Sequence, residues 1–222
     1  MSVSTENFIK TVFKFEMKEN ADSKPGTIAK ALHITNAATT DMARNLATKN
    51  LIRYEKYKEL KLTDEGKAKA LTILRKHRLW ETFLHEVFKL SLHEIHREAE
   101  LLEHQTSEFL ADKISDFLNH PEFDPHGDPI PSKDGSLTNA SNLIQLTDAN
   151  ENQDYVIKRL HNSDKDFLDF CTSHSILPGT EIRIIKQFAN LKTTEITLNE
   201  SKLLLHSKLA DVIYIQPITN HN

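Results

Sequence analysis

His96, Glu100, Glu103 and His104 fall within nine residues, in the run HREAELLEH. At about 100° per residue in a helix, offsets of 0, +4, +7 and +8 gather all four in one arc of roughly 100°. Two imidazoles and two carboxylates on one face suit a first-row divalent metal, which takes neutral His nitrogen and carboxylate oxygen. Upstream, RKHRLWE adds His77 and Glu81 at i and i+4, one turn apart on a second helix. With 12 His and 32 acidic residues in the chain, such pairs also arise on solvated faces. His77 and Glu81 therefore gain weight from the second cluster, whereas His85 and His93 lack company and read as structural.

These side chains need elements to hold them. Phe8, Ile9, Val12, Phe13 and Phe15 predict an amphipathic helix over 5–19, broken by Lys24-Pro25-Gly26. Thr27 is expected to cap a short helix, IAKALH, and a tight connection at Ile34-Thr35-Asn36 leads into a second, AATTDMARNLATKN. Two helices joined by so short a turn make a helix-turn-helix. In LIRYEKYKELKLT, the β-prone Leu51–Glu55 and Leu60–Thr63 flank Lys56-Tyr57-Lys58, as in a hairpin wing. A long helix then starts at Thr63-Asp64-Glu65-Gly66.

That order points to DNA. The N-terminal residues of a recognition helix lie nearest the base edges, where Thr35, Asn36, Thr39 and Thr40 offer short donors, acceptors and methyl groups. Arg44, Lys56 and Lys58, with Lys49 and Arg53, suit phosphate contacts. The chain's net charge of −4 divides unevenly, residues 1–75 carrying +5 and the remainder −9. A basic N-terminal part on an acidic remainder fits a nucleic-acid module joined to something else.

At 222 residues, two or three domains are expected. No stretch approaches about 18 apolar residues, so no membrane span is expected, and the acidic start lacks a signal-type apolar core. Cys171 is the single cysteine, which excludes an internal disulfide and a thiolate-cluster zinc site. A cytoplasmic location is the resulting expectation.

TENFIKTVF, KNLIRYEKYKELKLTDEGKAKA, RKHRLWETFL, IHREAELLEH and HPEFDPHGDPIPSKDG together resemble the diphtheria-toxin-repressor family of metal-dependent transcriptional regulators, over essentially the whole chain. The resemblance implies a mainly α protein with small β parts. A winged helix-turn-helix over 1–70 would precede a helical metal-binding and dimerisation domain over 71–124 and an SH3-like domain over 151–222; between them, the prolines and polar residues of PEFDPHGDPIPSKDGSLTNASN read by composition as a linker, placed over 125–150. The resemblance also implies a primary metal site of Asn7, Glu100, Glu103 and His104. An ancillary site would use His77, Glu81 and His96, completed by Asp164 or Asp166. Asn7 stands where iron-type members have Met and manganese-type members Asp. Lys10 stands where some manganese-type members place a Glu, which argues against their closely spaced pair of ions. Glu100 stands where iron-type members have Cys, and an oxygen-rich set favours Mn²⁺ over Fe²⁺. The implied function is a Mn²⁺-loaded dimer on palindromic operator DNA, repressing metal-uptake genes. An iron-dependent regulator is the alternative.

The C-terminal third carries β-rich runs, YVIKRL, TEIRIIKQF, TEITLNE and DVIYIQPI, with a helix before a turn at Pro178-Gly179. A small antiparallel barrel fits them, with Cys171 in its core. A di-metal helical enzyme needs two Glu-x-x-His motifs that this chain lacks, and no nucleophile–base pairing stands out. An adaptor whose winged helix contacts protein is the remaining class.

Overall fold

A computed structural model describes residues 1–17, 22–138 and 142–218. The expected end of the first helix (18–19), part of the expected linker (139–141) and the last residues of the final domain (219–222) lie outside the described residues. The chain forms two compact units. One comprises Met1–His77, Leu101–Asp112 and Pro131–Ser136, the other Arg78–Glu100, Lys113–Ile130 and Leu137–Asn222.

In the first unit, α1 (Val3–Met17) buries Phe8, Ile9, Val12 and Phe13. Helix α2 (Pro25–Ala31) starts at Pro25, not after Thr27. The fixed φ of proline suits a first helical position, and its missing N–H is one that a helix start leaves unpaired. A turn through His33, with φ 54°, leads to α3 (Asn36–Thr48). Its N-cap is Thr35, whose Oγ1 accepts from Ala38 N at 3.1 Å. Strands β1 (Ile52–Arg53) and β2 (Lys61–Leu62) pair antiparallel, Ile52 opposite Leu62, and form the wing. Glu16 of α1 accepts from the backbone N–H of Leu62 at 2.7 Å, so α1 and the wing are tied directly. Thr63 Oγ1 accepts from Gly66 N at 3.1 Å and starts α4 (Asp64–Phe88). A Cβ on Gly66 would stand 2.1 Å from the carbonyl oxygen of Leu51, so this close approach requires glycine.

The second unit contains the C-terminal portion of α4, most of α5 (Leu92–Leu102), part of α6 (Glu108–Phe117) and an antiparallel sheet ordered β3-β8-β4-β5-β6-β7. Its strands are β3 (Ile144–Gln145), β4 (Asp154–Leu160), β5 (Glu181–Phe188), β6 (Thr193–Leu198), β7 (Ser201–His206) and β8 (Ile213–Pro217). Alternate residues of β4 and β5, Tyr155, Ile157, Ile182 and Ile184 among them, face one core, which α7 (Lys165–Ser173) closes with Phe167, Leu168 and Cys171. Burial pushes the Cys171 thiol up to about 12, as for an inert core residue. The turn at Pro178-Gly179 forms as expected, Gly179 taking φ 93° and donating to Ile157 O at 2.7 Å. Two strands went unforeseen. Ser201–His206 has a run of three leucines in place of alternation, and β3 lies inside the segment expected to be a linker. No helix among the described residues is long and apolar enough to cross a membrane.

Candidate metal centre

Helix α5 ends at Leu102, so Glu103 and His104 stand in the turn that follows rather than on one continuous arc with His96. Thr106 Oγ1, 2.7 Å from the carbonyl of Leu102, takes up one of the helix's last acceptors and stabilises the break. Glu100 occupies the last turn of α5, half-buried.

Glu103 is 1% exposed. Its Oε1 accepts from Lys10 Nζ at 2.5 Å, and its Oε2 lies 2.6 Å from His77 Nδ1. A carboxylate only accepts, so that ring nitrogen carries a proton. The same logic fixes His104, whose Nδ1 donates to Glu6 Oε2 at 2.6 Å. In the neutral ring, Nε2 is then a bare lone pair, 3.2 Å from Glu103 Oε1 with no hydrogen donor to it. Asn7 Oδ1 is a second buried acceptor without a donor. A buried unsatisfied acceptor costs about 1–3 kcal/mol, and a cation recovers that cost. A carboxylate that holds a histidine in one tautomer by its far nitrogen is also the usual support of a metal-ligating imidazole. The residues therefore fit a divalent ion, with Lys10 as the discordant member.

In the second unit, Glu81 is 2% exposed and accepts from His96 Nδ1 at 2.9 Å. The loop after α6 brings Asp124 and His126 to it. One donor atom from each of Glu81, Asp124 and His126 lies within 4.8 Å of the others. Asp124 Oδ1 accepts from the backbone N–H groups of His126 and Asp128, both at 2.9 Å, while Asp124 Oδ2 lies 3.7 Å from Arg78 Nε without a hydrogen bond and His126 Nε2 is buried with none. Burial, then the charges of Glu81 and Asp128, push the Asp124 carboxyl well above its usual range. Burial holds His126 below its ordinary value, so the ring is neutral and ready to ligate. The loop docks on β4: His126 O accepts from Leu160 N at 2.8 Å, and Asp128 pairs with Arg159.

Of the expected ancillary set, His77 hydrogen-bonds Glu103, and Glu81 accepts from His96 while lying beside Asp124 and His126. Asp164 caps α7 by accepting from Phe167 N at 3.0 Å. Glu6 was not foreseen as a site residue, Lys10 was read only as a departure from the family's Glu, and Asp124 and His126 were not foreseen. The signal for the last two was the run HPEFDPHGDP, read for its prolines as a linker.

On α3, Thr39 is fully buried with its hydroxyl on Thr35 O, which removes it from the expected base-contacting set. Thr35 caps the helix, and Thr40 is half-buried with its hydroxyl on Asn36 O at 2.9 Å. Asn36 is exposed, together with Ala37 and Ala38, whose methyls went unforeseen. Arg44 is exposed 3.6 Å from Asp41, and Lys56 and Lys58 stand exposed at the wing tip around an 81% exposed Tyr57.

A winged helix-turn-helix, buried carboxylate–imidazole clusters and an SH3-like sheet fit the class of metal-dependent transcriptional regulators. Residues 63–132 match the iron dependent repressor metal binding and dimerisation domain, and 144–217 match the FeoA domain. The iron-dependent repressor IdeR of Mycobacterium leprae is 30% identical over 193 residues, covering 82% of this chain and 83% of that protein. A solved manganese-dependent transcriptional repressor in complex with manganese superposes with TM-score 0.89 at 25% identity, over 96% of this chain and all of its own. The manganese regulator SloR gives 0.80 at 27%, over 98% of this chain and all of its own. The chain belongs to the diphtheria-toxin-repressor family of metal-dependent transcriptional regulators. It is a transcriptional regulator and not an enzyme.

Proposed function

We propose that the chain is a manganese-responsive repressor, acting in the cytoplasm as a homodimer on palindromic operator DNA to control metal-uptake genes. One observation carries the metal reading: Asn7 Oδ1 and His104 Nε2 are buried acceptors without donors, the latter beside the buried Glu103. The primary site is assigned to Asn7, Glu100, Glu103 and His104. The second is assigned to Glu81, His96, Asp124 and His126. The domain division proposed is a winged helix over 1–70, a metal-binding and dimerisation part over 71–124, and an SH3-like part whose sheet begins at β3.

When bound, a divalent cation supplies positive charge shared by amide, carboxylate and imidazole donors. Asn7 is then held to the turn after α5. Glu16 already ties α1 to the wing, so the pose of α3 follows that of α1. In a dimer the two recognition helices must reach grooves about 34 Å apart, and a small tilt of α1 decides whether both do. The shift requires preferential loading of the DNA-competent state. Dimerisation is supported by the family match over 63–132 and by exposed Phe88 and Phe117, both packed on Phe83. Manganese is favoured by an assigned donor set without sulfur, and by the manganese regulators among the similar structures. Iron is the second reading, because the relative at 30% identity is an iron-dependent repressor.

The test is operator binding across Mn²⁺, Fe²⁺, Co²⁺ and Zn²⁺ at fixed ionic strength. Binding is expected only with metal, and it should fall steeply as salt rises. Operator binding indifferent to metal would refute the proposal. A cellular reporter answering to iron alone would replace manganese by iron.

The second site makes a pH-dependent prediction. The folded pKa of Asp124 lies above its unfolded value, so its contribution to stability is present in acid and lost as pH rises through the folded pKa. Asp124→Asn keeps the acceptor for the two backbone N–H groups and removes the buried charge. The metal-free variant should melt higher than wild type at neutral pH, with the gain vanishing in acid. Its Mn²⁺-induced rise in melting temperature should shrink. A variant no more stable than wild type at neutral pH would contradict this account.

A further inference from the structure

We infer that Lys10 is a resident cation of the primary site: its ammonium sits on Glu103 in the metal-free protein, and it has to leave when the site loads. Lys10 thereby sets how much metal the site needs. The inference rests on the metal reading above and adds a residue that opposes loading.

Lysine is rarely this buried unless paired, and the Lys10 side chain is 5% exposed against a Glu103 side chain at 0%. Glu6, Asn7 and Lys10 lie at i, i+1 and i+4 of α1, so one face of that helix delivers all three to the same cluster. The ammonium has three donors and no acceptor, which suits a cluster of acceptors. It touches Glu103 Oε1, the oxygen that also faces the bare Nε2 of His104. The other oxygen is taken by His77. A dication sharing Oε1 with the ammonium would be forced to within roughly 4 Å of it, in surroundings where like charges are poorly screened. Lysine differs from a rigid arginine fork in having a flexible four-carbon stem that can swing away. Glu6, one turn earlier on the same face, offers the displaced ammonium a second carboxylate.

The experiment uses the full chain in the Asp124→Asn background, which weakens the second site so that the primary site dominates the signal. Mn²⁺ is titrated by calorimetry into the parent, Lys10→Met, Lys10→Gln and Glu103→Gln. Both Lys10 variants are expected to take up one Mn²⁺ at least about tenfold more tightly, about 1.4 kcal/mol. They should also melt lower without metal, because the buried Glu103 carboxyl loses its contact with the Lys10 ammonium. In the unmutated chain, acetylation of Lys10 by an amine-reactive ester, read by mass spectrometry, should be slow without metal and several-fold faster with saturating Mn²⁺. That second readout serves even if a Lys10 variant fails to fold. Unchanged or weaker affinity in the folded Lys10 variants, or Lys10 equally shielded with and without Mn²⁺, overturns the inference. Loss of uptake in Glu103→Gln keeps the site assignment intact through such a failure. Undiminished uptake there removes the site, and the inference with it.

Discussion

Glu103→Ala is expected to destabilise the metal-free protein by about 3–5 kcal/mol and to abolish metal-dependent operator binding. The first figure is the usual cost of removing one partner from a buried ion pair. Lys10, at 4% residue exposure, would lose the carboxylate that receives its ammonium, and the proton on His77 Nδ1 would lose its acceptor. The loss of binding follows because Glu103 is the carboxylate on which Lys10, His77 and His104 converge. Denaturant unfolding reports the first effect and an operator shift with Mn²⁺ the second. Glu103→Gln separates them. Its amide keeps the shape and an acceptor oxygen, so it should recover part of the stability but not the metal response. A Glu103→Ala protein with wild-type unfolding free energy would show that the Lys10 contact is absent in solution.

Gly127→Ala should be comparably damaging for a different reason. Gly127 takes φ 87°, and a Cβ there would stand 1.8 Å from the carbonyl oxygen of Lys158 and 2.9 Å from Arg159 Cα. Both neighbours are backbone of β4, so neither can rotate aside. Strain in the left-handed region and the clash together should cost about 3 kcal/mol or more. Because residues 124–128 dock on β4 through this approach, Asp124 and His126 should lose their alignment on Glu81. The Mn²⁺-induced rise in melting temperature should fall with them. Gly135→Ala is the control: its φ is 83°, but the nearest atom is a flexible Leu71 Cδ1 at 3.5 Å. It should cost about 1–2 kcal/mol and leave the metal response of the second site intact. Equal effects from the two substitutions would show that the β4 contact contributes nothing.

The winged helix was legible because local rules decide it. Apolar residues recur at helical spacing in α1 and α3, and Lys56-Tyr57-Lys58 interrupts two β-prone runs. The crowding of imidazoles and carboxylates between His77 and His104, from which the metal reading starts, was visible too. What spacing could not supply was pairing between residues far apart in the chain. Nothing local to Lys10 says that it will meet Glu103, or that Glu6 will hold the ring of His104, because tertiary packing makes those choices. Asp124 and His126 were hidden by composition: a proline-rich run reads as a linker, yet Asp124 folds it by accepting two backbone N–H groups. Thr39 was misread because an N-terminal threonine on a recognition helix is polar in type, while its hydroxyl is satisfied internally by Thr35 O.

The burial of Cys171 has a consequence for when this regulator stays reliable. Its thiol is fully enclosed in the sheet domain and held at about 12, so almost none of it is thiolate, the form that peroxides attack. The residues assigned to hold metal are nitrogen and oxygen donors throughout. A peroxide therefore finds no thiolate to attack, either in the sheet domain or among the residues assigned to hold metal.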